Sequence, residues 1–206
     1  MPPRLIVTSS RHVNARVRSL VKELARVIPG AIKLNRGKLS IEELFSLAKG
    51  LGAKRVVIVC RGLMGNPGRI IFLDTSEEEV AFYPLILRIV GVKLAREHGV
   101  KATRPRGLVV VPGSLDDEVM QLSQELASAL CLNCIELPLE ELSSIQAHYG
   151  GALLVERRGS KAFVLRFINT SDLKPIGPRL TIGNVVYRRL RYEEVVTRTG
   201  TDHKGD

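Results

Sequence analysis

The sequence predicts an α/β fold (α+β in its detail) with mixed β-sheets and flanking helices, arranged as two similar halves. Three observations predict it. Short apolar runs alternate with segments whose apolar residues recur at helical spacing. That alternation occurs twice, with first runs opening at Leu5 and Leu108. Apolar residues make up 45% of the 206 residues, enough to build a sizeable core and too many for a disordered chain.

The first half begins with a strand over Leu5–Thr8, ended by Thr8-Ser9-Ser10. Val13, Val17, Leu20, Val21, Leu24, Val27 and Ile28 then mark a helix, which Pro29-Gly30 ends. Ala31–Leu34 reads as a strand and Asn35-Arg36-Gly37 as a turn. Ser40 and Glu43 form a capping box for a helix over Ile41–Lys49. Val56–Cys60 and Ile70–Leu73 read as buried strands joined through a hairpin turn at Gly62–Gly68. From Val80 to about Ala95, Pro84 and Gly91 argue against a helix and favour extended chain.

The second half follows the same order. Leu108–Val111 is a strand. Ser114, with Asp116 and Asp117, starts a helix bearing Leu115, Val119, Leu122, Leu126 and Ala129 on one face. Cys134–Leu137 reads as a strand and Leu139–Tyr149 as a shorter helix. Ala152–Glu156 and Ala162–Ile168 pair across Arg157-Arg158-Gly159-Ser160, and about Leu180–Tyr192 is extended. The division is a single domain over 1–196, with pseudo-repeats of about 1–103 and 104–196 and a flexible tail at 197–206.

The charge is uneven. Lys and Arg number 31 against 21 Asp and Glu, a net of +10, and Arg outnumbers Lys by 21 to 10. Residues 1–103 hold 18 basic and 8 acidic residues, so they supply the whole excess. Residues 104–152 are acidic, with 2 basic and 7 acidic residues. Residues 153–206 are basic again, with 11 against 6. Arginine-rich, folded and basic chains suit nucleic acid, because a guanidinium donates two parallel hydrogen bonds to a phosphate.

Other classes fit less well. No apolar run reaches the roughly 18–20 residues of a spanning helix. The start, Met-Pro-Pro-Arg-Leu-Ile-Val-Thr, enters a strand without a signal-peptide core. Three cysteines are too few for a disulfide scaffold, so a soluble cytoplasmic protein without membrane contact is expected. Gln is scarce, at three, which hints at a thermophilic source. Phosphate-loop, dinucleotide and nucleophile-elbow motifs are absent, so no enzyme, cofactor or small-molecule substrate is expected. His12, His98, His148 and His203 are scattered and read as surface residues. Cys131 and Cys134 lack the second pair a zinc site needs; burial and a disulfide both stay open. The paired acids Glu42-Glu43, Asp116-Asp117 and Glu140-Glu141 sit at helix starts, where they complement the dipole.

The candidate RNA-binding residues are basic. Arg18, Lys22 and Arg26 form a stripe on the first helix with only Glu23 among them, and Arg11 precedes that helix. Arg36 and Lys38 flank the next turn, and Arg61 and Arg69 bracket the glycine-rich turn. Arg157 and Arg158, with Lys161, occupy the matching turn of the second half; Arg179 lies near its end. Aromatic residues are only 4%, so contacts to backbone and shape are expected rather than base stacking.

Leu5-Ile-Val-Thr-Ser-Ser-Arg11, Lys33-Leu-Asn-Arg-Gly37, Ile41-Glu-Glu-Leu44, Val56-Val-Ile-Val59 and Ile176-Gly-Pro-Arg-Leu180 occur in an order that resembles the Brix-domain ribosome-biogenesis family. The likeness covers about residues 3–192, and Leu180 stands where that family usually has an aromatic. The short chain resembles the archaeal form, and the likeness is strongest to the small-subunit processome member. The resemblance implies a non-enzymatic factor that binds pre-rRNA, or an rRNA–guide RNA duplex, through Arg and Lys contacts to phosphates. It also implies ribosomal or other assembly proteins as partners, and halves that each resemble an anticodon-binding domain. It carries over no catalytic residues. Asn35, Arg36, Gly177, Pro178 and Arg179 match its motifs, with contact to RNA and the shaping of turns (Gly for positive φ, Pro for a fixed bend) as the two readings. Rival functions are an adaptor whose acidic stretch from Asp116 to Glu141 docks a basic protein, a tRNA-binding accessory domain, and a nuclease.

Overall fold

The computed structural model describes residues 4–195. The expected tail at 197–206, with His203, lies outside the described residues. Strands β1 (Leu5–Ser9), β2 (Ala31–Lys33) and β3 (Arg55–Arg61) pair in parallel with β1 in the middle. Strands β4 (Pro67–Asp74) and β5 (Ala81–Lys93) extend this sheet antiparallel. The same pairing recurs further on. Strand β6 (Leu108–Pro112) is parallel to both β7 (Asn133–Cys134) and β8 (Gly151–Arg158). Strands β9 (Ala162–Asn169) and β10 (Pro175–Val186) follow antiparallel. β10 pairs antiparallel with β5, giving one ten-stranded sheet among the described residues, ordered β2-β1-β3-β4-β5-β10-β9-β8-β6-β7.

Helices α1 (Ala15–Val27), α2 (Ile41–Gly50) and α3 (Asp117–Ala129) cover the sheet. α1 and α3 share one face. Val17, Leu20, Leu24, Val119, Leu122 and Leu126 join Val57, Phe72, Leu85, Val110, Leu153 and Leu165 in one core that spans both sets of strands. α1 packs across onto β10 and α3 across onto β5, so each helix straddles the central pair. On the other face, α2 covers Ile6, Val56, Ile58, Ile71, Phe82 and Ile86 with Leu44 and Phe45. The chain returns after β10 to bury Leu190 and Val195 in that core. A smaller cluster around Leu142, Val111 and Leu154 lies on the same side.

The capping box is present: Ser40 Oγ accepts from the Glu43 amide at 3.1 Å, and Glu43 accepts from the Ser40 amide at 2.7 Å. The extended reading of 80–95 holds as β5, the longest strand. Four expectations are corrected. α3 is capped by Asp116, whose carboxylate accepts from the Glu118 and Val119 amides, rather than by Ser114. β7 is two residues long, not Cys134–Leu137. The segment Leu139–Ile145 is 3-10 rather than α-helical; Pro138 precedes it and no side chain caps it. β10 runs over Pro175–Val186, five residues earlier than expected at its start, and stops short of Tyr192.

That last shift changes the role of Gly177 and Pro178. They lie inside β10, beside a register shift between Pro175 and Arg179, and form no turn. Gly177 has no positive φ. A Cβ there would stand 2.9 Å from Phe167 Cβ and 3.1 Å from Val27 Cγ2, so close packing of β10 under α1 is what requires glycine. Gly37, in the other motif, does take φ +54°.

Gly177→Ala is expected to destabilise the fold by about 1–3 kcal/mol, as overpacking does. Gly50→Ala, at the open end of α2 with nothing within 4 Å of its Cβ position, is expected to be neutral or stabilising by up to about 1 kcal/mol. Chemical denaturation of both variants checks the pair.

Candidate nucleic-acid interface

The carboxyl ends of β1, β2 and β3 open into one cleft. Chain segments leave the sheet there: Ser10-Arg11-His12 after β1, Arg36 after β2, and Gly62-Leu63 after Arg61, the last residue of β3. Clefts outside the carboxyl ends of parallel strands are the usual binding places of open α/β sheets. This one encloses about 730 Å³.

Strand register supplies its floor. Ile58, Ile71, Ile86 and Val186 form one cross-strand row, apolar and packed under α2. Two residues along, the same face carries Cys60, Arg69, Arg88 and Asn184 in register. The floor therefore changes from aliphatic to cationic where α2 ceases to cover it. Arg11 and Arg36 line it from the loops, Arg61 from the end of β3 and Arg188 from the segment after β10, making six arginines with Arg69 and Arg88.

Few carboxylates answer this charge. Among the described residues, none lies within 4.0 Å of a side-chain nitrogen of Arg11, Arg36, Arg61, Arg69 or Arg88. Three of these side chains are instead held by carbonyls. Arg11 Nη2 donates to Lys38 O at 3.1 Å, Arg36 Nε to Leu39 O at 3.1 Å, and Arg61 Nη1 to His12 O at 3.3 Å. Arg11 Nε is buried without a partner. Burial, with Arg11 next to it, lowers the pKa of Arg36. Burial raises that of the Cys60 thiol, against the pull of neighbouring Arg69 and Arg36. Glu194 also lines the cleft, but Arg188 takes it in a bidentate pair at 2.7 and 2.9 Å. That pair and the Arg191 amide hold the Glu194 carboxyl down at about 2.

The matching ends of β6 and β8 look different. The first turn of α1 holds no acid, whereas α3 opens with Asp116, Asp117 and Glu118. Arg157 is consumed there, 3.0 Å from Asp116 and 3.3 Å from Glu118. The scaffold position is shared, but the first is cationic and the second is neutralised.

Of the residues singled out in the sequence, the fold gathers Arg11, Arg36, Arg61 and Arg69. Arg36 is only 7% exposed, so it lies within the wall rather than at a turn surface. Lys38 is exposed near the rim. Arg18, Lys22 and Arg26 are exposed on α1, over the opposite face of the sheet, and are not part of the cleft. Arg158 is exposed at the β8–β9 turn and Arg179 is exposed on β10. Arg88 and Arg188 were missed. One lies in mid-strand and the other after β10, and only long-range pairing joins them to the rest. His12 and His148 are exposed, but His98 is half-buried, against the surface reading. Cys131 and Cys134 are free thiols. Among the described residues no group of three or more His, Cys, Asp or Glu could hold a metal ion, and no helix is long and apolar enough to cross a membrane.

A ten-stranded mixed sheet with flanking helices and a cationic cleft defines the class. Its relatives define the family. A probable Brix domain-containing ribosomal biogenesis protein from Aeropyrum pernix is 30% identical over 181 residues, covering 86% of this chain and 93% of the relative. One from Pyrobaculum aerophilum is 26% identical over 188 residues, covering 91% and 97%. The crystal structure of a probable ribosomal biogenesis protein from Aeropyrum pernix superposes with a TM-score of 0.73 at 28% identity, covering 88% of this chain and 96% of that one. No family model matches the chain. The chain belongs to the Brix-domain ribosomal biogenesis family.

The Arg188–Glu194 pair gives a direct check. In an NMR titration the Glu194 carboxyl is expected to titrate at about 2. The depressed pKa means the pair supports the fold above the ordinary carboxylate range and is lost as pH falls towards 2. Arg188→Ala should return the midpoint towards the ordinary 4.5.

Proposed function

We propose that this protein is a non-enzymatic ribosome-biogenesis factor that binds pre-rRNA, or an rRNA–guide RNA duplex, by its phosphate backbone. The observation that carries this reading is the uncompensated charge of Arg11, Arg36, Arg61, Arg69 and Arg88 around one cleft. Guanidiniums brought together without carboxylates repel one another, and a polyanion relieves that repulsion. Counterions released from the RNA add to the gain. The cleft lining contains no Phe, Tyr or Trp, which favours backbone over base stacking.

In this reading residues 1–196 form one Brix-like domain of two pseudo-repeats, about 1–103 and 104–196, each resembling an anticodon-binding domain. The first repeat supplies the main contact. Arg18, Lys22, Arg26, Lys38, Arg158 and Arg179 supply outlying phosphate contacts, and Arg157 stabilises the start of α3. The factor works in the cytoplasm on the assembling subunit, beside ribosomal or other assembly proteins.

Filter binding of a labelled stem-loop RNA across a potassium chloride series tests this. The affinity is expected to fall linearly on logarithmic axes. Replacing Arg61, Arg69 and Arg88 together with Ala should weaken binding of unrelated RNA sequences alike and reduce the slope by about 2. A flat slope for the unaltered protein would overturn the proposal.

A further inference from the structure

The hairpin between β3 and β4 carries two apolar side chains into solvent at the mouth of the arginine cleft. Leu63 is 91% exposed and Met64 96%. Leu63 also lines the cleft. Scattered exposed aliphatics are ordinary, but this pair sits on an unusually constrained support.

Gly62 and Gly68 face each other so closely that a Cβ on Gly62 would stand 2.6 Å from Gly68 Cα, and one on Gly68 would stand 2.4 Å from Gly62 Cα. The Gly62 amide donates to Asn66 O at 2.7 Å, and the Asn66 amide returns to Leu63 O at 3.1 Å. Met64 itself takes φ +51°, a left-handed conformation that a side chain rarely adopts. Gly65 backs onto Asn14, whose side chain caps α1 by accepting from the Val17 amide at 3.1 Å. The tip is thus fixed to α1 and to the sheet, with Arg61 and Arg69 at its base.

We infer that Leu63 and Met64 form a wedge that packs against a nucleobase of the RNA whose phosphates the arginines hold. This rests on the RNA-binding reading above and deepens it. An apolar occupant with no charge would gain nothing from the surrounding cations. A nucleobase is apolar on its face and attached to phosphates, so it satisfies the tip and the cleft together. Leucine and methionine are among the side chains that wedge against bases in nucleic-acid complexes. The backbone contacts of the hairpin limit the entropy lost by the loop itself on contact, leaving the side-chain rotamers as the main ordering cost.

The test uses the full chain and a stem-loop RNA carrying 2-aminopurine at successive loop positions. The unaltered protein is expected to change the fluorescence at one or two adjacent positions. Leu63→Ser with Met64→Ser should abolish that change and weaken binding about tenfold, with the salt slope unchanged. Both positions are exposed, and a thermal melt coincident with that of the unaltered chain shows that the fold is kept. Unchanged fluorescence response and affinity in the double variant would overturn the wedge while leaving the RNA-binding reading standing. Salt-dependent RNA binding with no 2-aminopurine response at any position would also overturn it. Absence of RNA binding by the unaltered chain would overturn both. If the double variant loses only self-association in sedimentation, the tip contacts a second copy and the wedge fails.

Discussion

The antiparallel pairing of β5 with β10 is the constraint on which the rest of the molecule depends. These are the two longest strands, 13 and 12 residues, and their pairing turns two sets of strands into one sheet. Without it, α1 and α3 would each bury an apolar face against an incomplete floor, since each packs across onto the other set's strand. The pairing also sets what faces the cleft. Its register skips Val90 and Gly183, so that Ile182 opposes Ile89 and Asn184 opposes Arg88. A Cβ on Gly183 would come within 2.5 Å of Val90 Cγ1, so the irregularity needs glycine there. Irregularities of this kind re-aim side chains. Here the result is that Asn184 of β10 continues the row formed by Cys60, Arg69 and Arg88.

A shared scaffold with unequal charges explains why one end of the sheet is singled out. At both places two parallel strands end beside a helix start, which by itself favours an anion. At α3 the protein supplies its own anions in Asp116, Asp117 and Glu118, and Arg157 pairs with two of them. At α1 the cap is the neutral Asn14, the first turn has no acid, and Arg11 and Arg36 crowd together. Burying an arginine beside another is costly unless its hydrogen bonds are met. Arg36 meets one through Leu39 O, and the cleft gives it access to what lies outside.

The fold was largely legible in the sequence because its helices are amphipathic and its strands are apolar runs between glycines and prolines. The Val17-Leu20-Val21-Leu24 spacing and the Ser40–Glu43 box are local signals, and the structure realises both. Leu139–Ile145 misled because its apolar spacing suits a helix while its coil is the tighter 3-10 form. Gly177-Pro178 misled because dipeptides of this kind more often mark turns. What fixes them here is contact with Phe167 and Val27, distant in sequence. The site was half legible for the same reason. Arg11, Arg36, Arg61 and Arg69 sit at strand ends that local pattern can locate. Arg88 joins them through the pairing of β5 with β4, and Arg188 only through pairing of β10 with β5, about 100 residues apart. Arg157 looked equivalent to Arg61 by position, and only the approach of α3 to its turn reveals that its charge is spent.

The cleft's own composition limits how it can recognise its ligand. The acidic residue that lines it, Glu194, is engaged bidentately by Arg188, so it cannot neutralise the other five arginines. The pair instead braces the segment that buries Leu190 and Val195 beneath it. The remaining guanidiniums are anchored by backbone carbonyls or rise from paired strands, which spares part of the side-chain entropy that binding would otherwise cost. A rigid set of forked donors reads the spacing of phosphates, not the identity of bases. With no Phe, Tyr or Trp in the lining, the apolar groups that reach beyond the cations belong to the hairpin tip, which places Leu63 and Met64 to meet a base face at this cleft.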